Sequence, residues 1–319
     1  MSSAVETLNN SPQGSRWKRF SNYIKRYWML YAMLLLPISF FVIFRYVPMY
    51  NILLAFKQNN IFLPLSEVQW VGLDNFRHAW AMDHFHNAVR STVMFSILDL
   101  IVGFPAPIIL ALLLNELKFK KFKRITQTIS YMPHFLSWII ISGITLRLFA
   151  TNTGAVNNIL SAWFNMEPVP FISDTTHWVW TVVLIAAWRS LGWNTIIYLA
   201  AITSINPELY EAAEVDGASR LRKIWHVTLP GIRPVIVILF ILTMGNMMGA
   251  EFERFMALSN NLVRSVADVL PVFVYRWGLQ SLQFALATAV GVIQSVINLL
   301  LLLGANFVIK RIDGEAGLW

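Results

Sequence analysis

Six stretches of roughly 20 mostly apolar residues recur along this chain, and each is long enough to cross the hydrocarbon core of a bilayer as a helix. The predicted spans cover residues 28–48, 90–115, 128–150, 177–203, 233–252 and 284–309. Prolines and glycines occur inside them, which membrane helices tolerate because neighbouring groups satisfy the freed backbone. The pattern therefore predicts an all-α membrane protein with six transmembrane helices.

Composition supports a membrane protein. Of the 319 residues, 56% are hydrophobic and 13% are charged, whereas a soluble domain carries about 25% charged residues. The net charge of +8 would favour nucleic-acid binding in a soluble protein. Here the basic residues lie beside apolar spans, so orientation in the bilayer explains them and no nucleic-acid partner is expected. The absence of cysteine excludes disulfides and thiolate metal sites.

The distribution of Lys and Arg predicts the orientation, because basic residues are enriched on the cytoplasmic side. One side of the predicted topology carries Arg16, Lys18, Arg19, Lys25, Arg26, Lys118, Lys120, Lys121, Lys123, Arg124, Arg220, Arg222, Lys223, Arg233, Lys310 and Arg311. The opposite side carries the smaller set Arg45, Lys57, Arg77, Arg90, Arg254, Arg264 and Arg276. Both termini are therefore expected in the cytoplasm.

This topology divides the chain into three parts. Residues 1–27 form a cytoplasmic tail, of which Ser2 to Ser15 is expected to be disordered. Residues 28–311 form the transmembrane domain, with a cytoplasmic loop at 204–232, and residues 312–319 form a second cytoplasmic tail. The connections at 49–89, 151–176 and 253–283 lie on the outside, where they either dock a soluble partner or only cover helix ends.

The loop between the fourth and fifth spans predicts a short helix. Asn206 suits the N-cap and Pro207 the first helical position. Leu209, Ala212 and Ala213 fall on one helical face, and Gly217 can end the helix in a left-handed conformation. Glu208 and Glu211 favour the positive end of the helix dipole. Ser219 is expected to cap a second short helix that runs through Val227, before Leu229 and Pro230 return the chain to the membrane.

A small-residue face permits close approach of another protein, but the same helix could instead lie on lipid headgroups. The spacing favours the first reading, because it resembles the signature of binding-protein-dependent ABC importer permeases. That signature is Glu-Ala-Ala, three residues, Gly, nine residues, an aliphatic residue, one residue and Leu-Pro. The matching residues are Glu211, Ala212, Ala213, Gly217, Val227, Leu229 and Pro230, with Val227 where the family usually has Ile.

Further segments resemble one branch of that superfamily, the first permease of complex-carbohydrate importers, and within it a permease subunit of alginate importers. These segments are residues 72–76, 104–107, 111–116, 127–138 and 287–291. The resemblance runs from about residue 28 to the end. It implies the type I ABC importer permease fold and a bacterial inner (cytoplasmic) membrane location.

The resemblance also implies partners. They are a second, homologous permease, two ABC ATPase subunits and a periplasmic or lipid-anchored solute-binding protein that delivers oligosaccharide. The helix at Pro207 to Asp216 would be the coupling helix, which moves when ATP closes the ATPase dimer and switches the membrane helices between two states. The residues implied in ATPase coupling are Glu211, Ala212, Ala213, Asp216, Gly217, Leu229 and Pro230.

The chain itself is not expected to be an enzyme. It has no Gly-x-x-x-x-Gly-Lys-Ser/Thr loop that could cradle phosphates. We therefore expect no cofactor on this chain, with ATP and Mg²⁺ bound by the partner ATPases. The six histidines are scattered, and neither a metal site nor a catalytic residue is predicted.

Polar residues within spans usually face the bundle interior. By resemblance to the family's sugar importers, the predicted substrate path comprises Arg189, Ser190, Trp193, Asn194, Thr243, Asn246, Met247 and Ala250. A uronate carboxylate could take the Arg189 guanidinium bidentately, which favours acidic oligosaccharides such as alginate. Alternatively, Arg189 pairs with Asp99, Glu251 or the partner chain, or reaches an interface, and Trp193 is a packing aromatic.

One other substrate class and two other function classes remain as alternatives. The same importer class could carry neutral oligosaccharides. An ion-coupled secondary transporter would show inverted repeats and interrupted helices in matching positions, which the sequence does not display. An intramembrane enzyme would need a convergent nucleophile or metal set within the spans.

Overall fold

The computed structural model describes residues 16–312 and is built almost entirely of helices. Within that range, extended pairing is confined to one isolated antiparallel bridge between Lys57 and Trp70. The predicted disorder of Ser2 to Ser15 and the C-terminal tail beyond residue 312 lie outside the described residues. The chain divides into two compact units, residues up to Leu53 and residues from Leu54 onward.

The first unit is an apolar helix preceded by a short polar one. Helix α1 (Arg16–Arg26) lies in the predicted N-terminal tail, and α2 (Trp28–Phe41) follows after Tyr27. A π-helical turn (Val42–Tyr46) and α3 (Val47–Met49) extend it, followed by a 3-10 turn (Tyr50–Phe56) that begins in this unit and ends in the second. The first span therefore runs over Trp28–Phe56 rather than ending at residue 48. No residue of α2 is buried, as expected for a helix that is apolar all round and meets lipid or a partner.

The second unit contains the remaining helices. They are α4 (Asp74–Ala81), α5 (Asp83–Leu98), α6 (Pro105–Glu116), α7 (Lys120–Tyr131), α8 (Trp138–Phe149), α9 (Ala155–Phe164), α10 (Thr175–Thr203), α11 (Pro207–Val215), α12 (Arg220–Lys223), α13 (Leu229–Gly245), α14 (Phe252–Leu258), α15 (Arg264–Ala267), α16 (Leu270–Phe273) and α17 (Phe284–Ile312). In the described part of the chain, five helices are long and apolar enough to span a bilayer, and a bent pair raises the number to six. The predicted helical membrane fold is confirmed.

The bent pair corrects the third predicted span, which is not one straight helix. After α7, a 3-10 turn (Met132–Phe135) precedes α8, and the two halves meet at 105°. Pro133 lies near the start of the turn, and the hydroxyl of Ser137 accepts a hydrogen bond from the amide of Ile140. A new N-cap in mid-span thus starts a second helix in a new direction.

The fifth span also differs from its prediction. The second loop helix does not stop at Val227, because α12 continues through a π-helical turn (Ile224–Thr228) into α13, giving one helix over Arg220–Gly245. At its far end, residues 246–251 leave the helix, although the span was expected to reach 252. A Cβ on Gly249 would lie 2.4 Å from the side-chain oxygen of Asn246, so any larger residue there would displace that side chain.

Helix α10 lies at the centre of the second unit and packs against α6, α7 and α13. Its N-cap is Asp174, whose carboxylate accepts hydrogen bonds from the amides of Thr176 and His177 at 3.0 Å. These bonds, with His177 contributing most, lower the pKa of Asp174. At Gly192, a Cβ would lie 2.2 Å from the carbonyl oxygen of Ser130, so α7 and α10 touch backbone to backbone.

The largest buried cluster joins α5, α8 and α10 to the connection at 253–283. Phe95, Trp138, Trp178 and Phe255 are each at most 1% exposed within it. The ring of Phe95 meets those of Trp178 and Phe255 edge-on at 5.8 and 4.7 Å. This connection is therefore part of the core and not only a cover over helix ends.

Candidate functional site

The loop at residues 204–232, called here the signature loop, contains the predicted short helix. The Asn206 side chain accepts a hydrogen bond from the Glu208 amide at 3.1 Å, and Pro207 opens α11. Gly217 has φ of +70°, and the Ala218 amide donates to the Ala213 carbonyl at 2.9 Å. This is the left-handed helix end expected of glycine, so the predicted start and end of α11 are confirmed.

Two side-chain contacts fix α11 to the start of the long fifth helix. The hydroxyls of Tyr210 and Thr228 lie 3.0 Å apart. The Lys223 ammonium donates to the Glu214 carboxylate at 2.8 Å, and this bond lowers the pKa of Glu214. These contacts connect α11 to α12 and to the π-helical turn that leads into α13.

The surface of the signature loop is largely exposed and partly apolar. Val215, Leu221 and Leu209 are 89%, 70% and 54% exposed. Ala213 is half-buried, whereas Glu211, Ala212, Asp216 and Gly217 are exposed. Leu229 is half-buried and Pro230 is exposed. The loop thus presents apolar side chains and small residues together, which suits contact with another protein surface.

A cavity of about 550 Å³, lined by both polar and apolar side chains, opens at the other end of α13. Four predicted path residues, Thr243, Asn246, Met247 and Ala250, line it. Asn298 of α17 supports the turn at 246–251 by accepting a hydrogen bond from the Met248 amide at 2.8 Å. The remaining lining residues are Ser96, Asp99, Leu100, Leu239, Leu242, Met244, Gly249, Glu251 and Arg254.

The cavity wall contains an ion pair that the sequence analysis did not predict. Arg254 donates to both carboxylate oxygens of Asp99, at 3.2 and 2.8 Å. Its guanidinium lies 4.6 Å from the ring centroid of Phe255, and its side chain is 4% exposed. Asp99 stands where the helix of the second span passes through a π-helical turn (Asp99–Gly103). The sequence places Arg254 in the outer connection at 253–283, and that position gives no indication of a partner in the second span.

Arg189 is also ion-paired. It donates to Glu251 at 3.2 Å and to the carbonyl of Leu136 at 3.4 Å. Its guanidinium lies 4.8 Å from the ring centroid of Trp138. Arg189 therefore connects the break between α7 and α8 with the turn that precedes α14. The structure therefore shows Arg189 paired with Glu251, which is one of the partners expected from the sequence.

The remaining predicted path residues lie elsewhere on α10. Trp193 stacks on His134 with ring centroids 4.6 Å apart and planes 4° apart, the kind of contact expected of a packing aromatic. Ser190 donates to the carbonyls of Ala186 and Ala187 within its own helix, and Asn194 is half-buried. Among residues 16–312, these three and Arg189 are absent from the lining of the cavity. In the same range, no three His, Asp or Glu side chains are grouped as a metal site would require.

These features agree with the comparisons. The family described as binding-protein-dependent transport system inner membrane component matches residues 103–314. The chain belongs to this family. It is 40% identical over 292 residues to protein LplB of Bacillus subtilis (strain 168), covering 92% of each chain. It is also 40% identical to the polygalacturonan/rhamnogalacturonan transport system permease protein YteP of that organism, covering 91% of this chain and 90% of the relative.

Two solved structures have the same fold. One is a bacterial ABC transporter involved in import of the acidic polysaccharide alginate, with a TM-score of 0.85 and 39% identity, covering 92% of this chain and 99% of the other. The second is an alginate ABC transporter in complex with alginate pentasaccharide-bound periplasmic protein, with a TM-score of 0.86 and 38% identity, covering 94% and 100%. The predicted resemblance to carbohydrate importer permeases is confirmed.

Proposed function

We propose that this chain is a transmembrane permease subunit of an ATP-driven oligosaccharide importer in the bacterial inner membrane. The observation that carries the proposal is the similarity, over nine-tenths of the chain, to a chain of an alginate ABC transporter. The family match over residues 103–314 includes the signature loop. The expected partners are a second permease, two ABC ATPase subunits and a solute-binding protein.

In this proposal the signature loop faces the cytoplasm and docks on an ATPase subunit. Glu211 makes a polar contact in the ATPase groove, while Ala212 and Ala213 allow close approach and Gly217 ends the helix. The exposed Leu209 and Val215 supply apolar contact area. Because Tyr210 and Lys223 tie α11 to the fifth helix, movement of the ATPase would tilt α13 and the cavity at its far end. ATP and Mg²⁺ are bound, and ATP is hydrolysed, on the partner subunits.

Acidic oligosaccharide is the proposed substrate class. Its support is that YteP and both alginate transporter structures are named for acidic glycans. Arg189 supports an acidic substrate less strongly than its position in an apolar span indicated, because Glu251 already balances its charge.

Neutral oligosaccharide is the second candidate, and a specific observation favours it. The arabinooligosaccharides transport system permease protein AraP of Bacillus subtilis is 31% identical over 82% of both chains. In addition, Arg254, which lines the cavity, and Arg189, which lies outside the lining, are each paired with a carboxylate. This wall therefore offers an incoming uronate no uncompensated positive charge.

The test is ATP hydrolysis by the complete transporter, purified with its co-expressed partners and reconstituted with loaded binding protein. The panel compares uronate oligosaccharides with neutral ones of equal length. Stimulation by uronates, reduced in Arg189→Ala, supports acidic-glycan import with Arg189 in the path. Stimulation by neutral sugars alone keeps the importer assignment and leaves Arg189 a structural role. If no ATPase co-purified and no sugar acted, the proposed function would be overturned.

A further inference from the structure

The carboxylates at the cavity are more exposed than the arginines that pair with them. The side chain of Asp99 is 37% exposed against 4% for Arg254. The side chain of Glu251 is 47% exposed against 19% for Arg189. Both carboxylates line the cavity. The positive groups thus lie deeper in the protein, and the charged atoms that a ligand meets at this cavity are mainly carboxylate oxygens.

The neutral side chains beside them have the same hydrogen-bonding character. The Thr243 hydroxyl donates to the Leu239 carbonyl at 2.8 Å, and the Ser96 hydroxyl donates to the Met247 carbonyl. With their protons engaged, both oxygens can only accept further hydrogen bonds. An ionised carboxylate also only accepts, and its two oxygens have about four lone-pair sites in all, more than one guanidinium uses. Most of the polar lining is therefore made of acceptors.

A further polar atom at this wall lacks a protein partner. The Nε of Arg254 is buried, and within residues 16–312 it makes no hydrogen bond. Arg254 itself lines the cavity. This Nε is shielded from solvent and cannot donate to a ligand, so the guanidinium acts on Asp99 and on the rings of Phe95 and Phe255 that face it.

We propose that this wall is a subsite for sugar hydroxyl groups, with Asp99 and Glu251 as the specificity-determining acceptors. Hydroxyls are the donors that a pyranose offers in greatest number, and hydrogen bonds to charged acceptors are stronger than neutral ones. Arg254 and Arg189 are positioning residues that hold the carboxylates and balance their charge. The wall has no unpaired positive group for a uronate carboxylate, so the recognition assigned to it is that of the sugar hydroxyls. The proposal rests on the proposed function and specifies which groups of the oligosaccharide this chain recognises.

The test uses the complete transporter in proteoliposomes at saturating loaded binding protein, and measures sugar imported per ATP hydrolysed. The probes are a uronate trimer, a neutral trimer of the same hexose, and monodeoxy analogues of each. With wild type, at least one deoxy analogue should be imported about ten- to hundredfold less well per ATP, the range for a lost hydrogen bond to a charged group. With Glu251→Gln, import of the parent trimer per ATP should fall. Import of that deoxy analogue should fall little below its wild-type value, because the analogue already lacks the hydroxyl concerned.

The double variant Arg189→Gln/Glu251→Gln separates recognition from ion pairing. It removes both charges, so the charge balance of the pair would be restored, whereas the charged acceptor for the sugar hydroxyl would still be missing. Continued loss of import supports the subsite, and recovery to wild-type import overturns it. Glu253→Gln, an exposed carboxylate outside the cavity lining, should match wild type. If wild type imports no trimer, the proposed function itself fails, which is a different result from recovery in the double variant.

Discussion

Arg254 and Asp99 are 155 residues apart in sequence and form a two-bond ion pair at the wall of the cavity. The pair joins the π-helical turn of the second span to α14, which follows the turn at residues 246–251 after the end of the fifth span. Arg254 is almost fully buried, whereas Asp99 reaches the cavity. The pair therefore fixes the position of a carboxylate that a transported molecule can touch.

The first prediction concerns the stability that this pair provides. Asp99→Asn leaves the Arg254 guanidinium buried without a counter-charge, and removing one partner of such a pair costs roughly 3 kcal/mol. The midpoint of thermal unfolding of the purified complex should fall clearly. Asp74→Asn is the matched control, because Asp74 and Arg77 pair at the surface with side chains 65% and 79% exposed, where about 0.5 kcal/mol or less is at stake. Equal midpoints for both variants would contradict this account.

The second prediction concerns the contact between α7 and α10. Gly192→Ala places a methyl group against the Ser130 backbone, and such overpacking costs about 1–3 kcal/mol. Gly143→Ala is the control, because a Cβ there meets nothing within 4 Å, and replacing helical Gly by Ala gains up to about 1 kcal/mol. Thermal unfolding midpoints should therefore shift in opposite directions, and a neutral Gly192→Ala would show that the two helices can separate freely.

The third prediction concerns the signature loop. Ala213→Glu adds a charged side chain to the small-residue face of α11, so we expect ATP hydrolysis to lose its stimulation by the loaded binding protein. Basal complex assembly should be checked by gel filtration, since loss of docking could also reduce ATPase retention. The comparison is Ala155→Glu on the exposed start of α9, which should keep both stimulation and assembly. Normal uptake by Ala213→Glu would sink the docking role of this face.

The fourth prediction is a pH dependence within the same loop. Bonding to Lys223 lowers the pKa of Glu214 below its ordinary value of 4.5. A lowered folded-state pKa contributes stability above the unfolded value, and that contribution is lost as pH falls through the folded pKa. Hydrogen exchange of residues 207–223 should therefore be faster in Glu214→Gln than in wild type at neutral pH. The difference should vanish well below pH 4.5, and a pH-independent difference would refute the assignment to this pair.

The helical fold could be read from the sequence because its signals are local. Apolar runs, the Asn206 cap and the left-handed Gly217 each depend on a few neighbouring residues. The break at Ser137 had a local signal too, in Pro133 followed by a serine N-cap, but the apolar run of residues 128–150 outweighed it. The end of the fifth span at Gly245 was similarly hidden by apolar residues that continue into the turn.

The cavity could be predicted only in part, because its charges come from distant segments. Thr243, Asn246, Met247 and Ala250 follow one another on one segment and were found together. Arg254 and Asp99 gave no pairing signal, since nothing local connects them. Arg189 was recognised as exceptional in an apolar span, but its partner Glu251 is 62 residues away, and only the fold decides between pairing and an open site.

The most direct test of the central claim is accumulation of labelled oligosaccharide in proteoliposomes that contain this chain with its co-expressed partners. Loaded binding protein is added outside and ATP is enclosed inside. The account predicts uptake against a concentration gradient that requires both ATP and the binding protein. Uptake that persisted without ATP and followed an imposed ion gradient would contradict it and would favour an ion-coupled transporter.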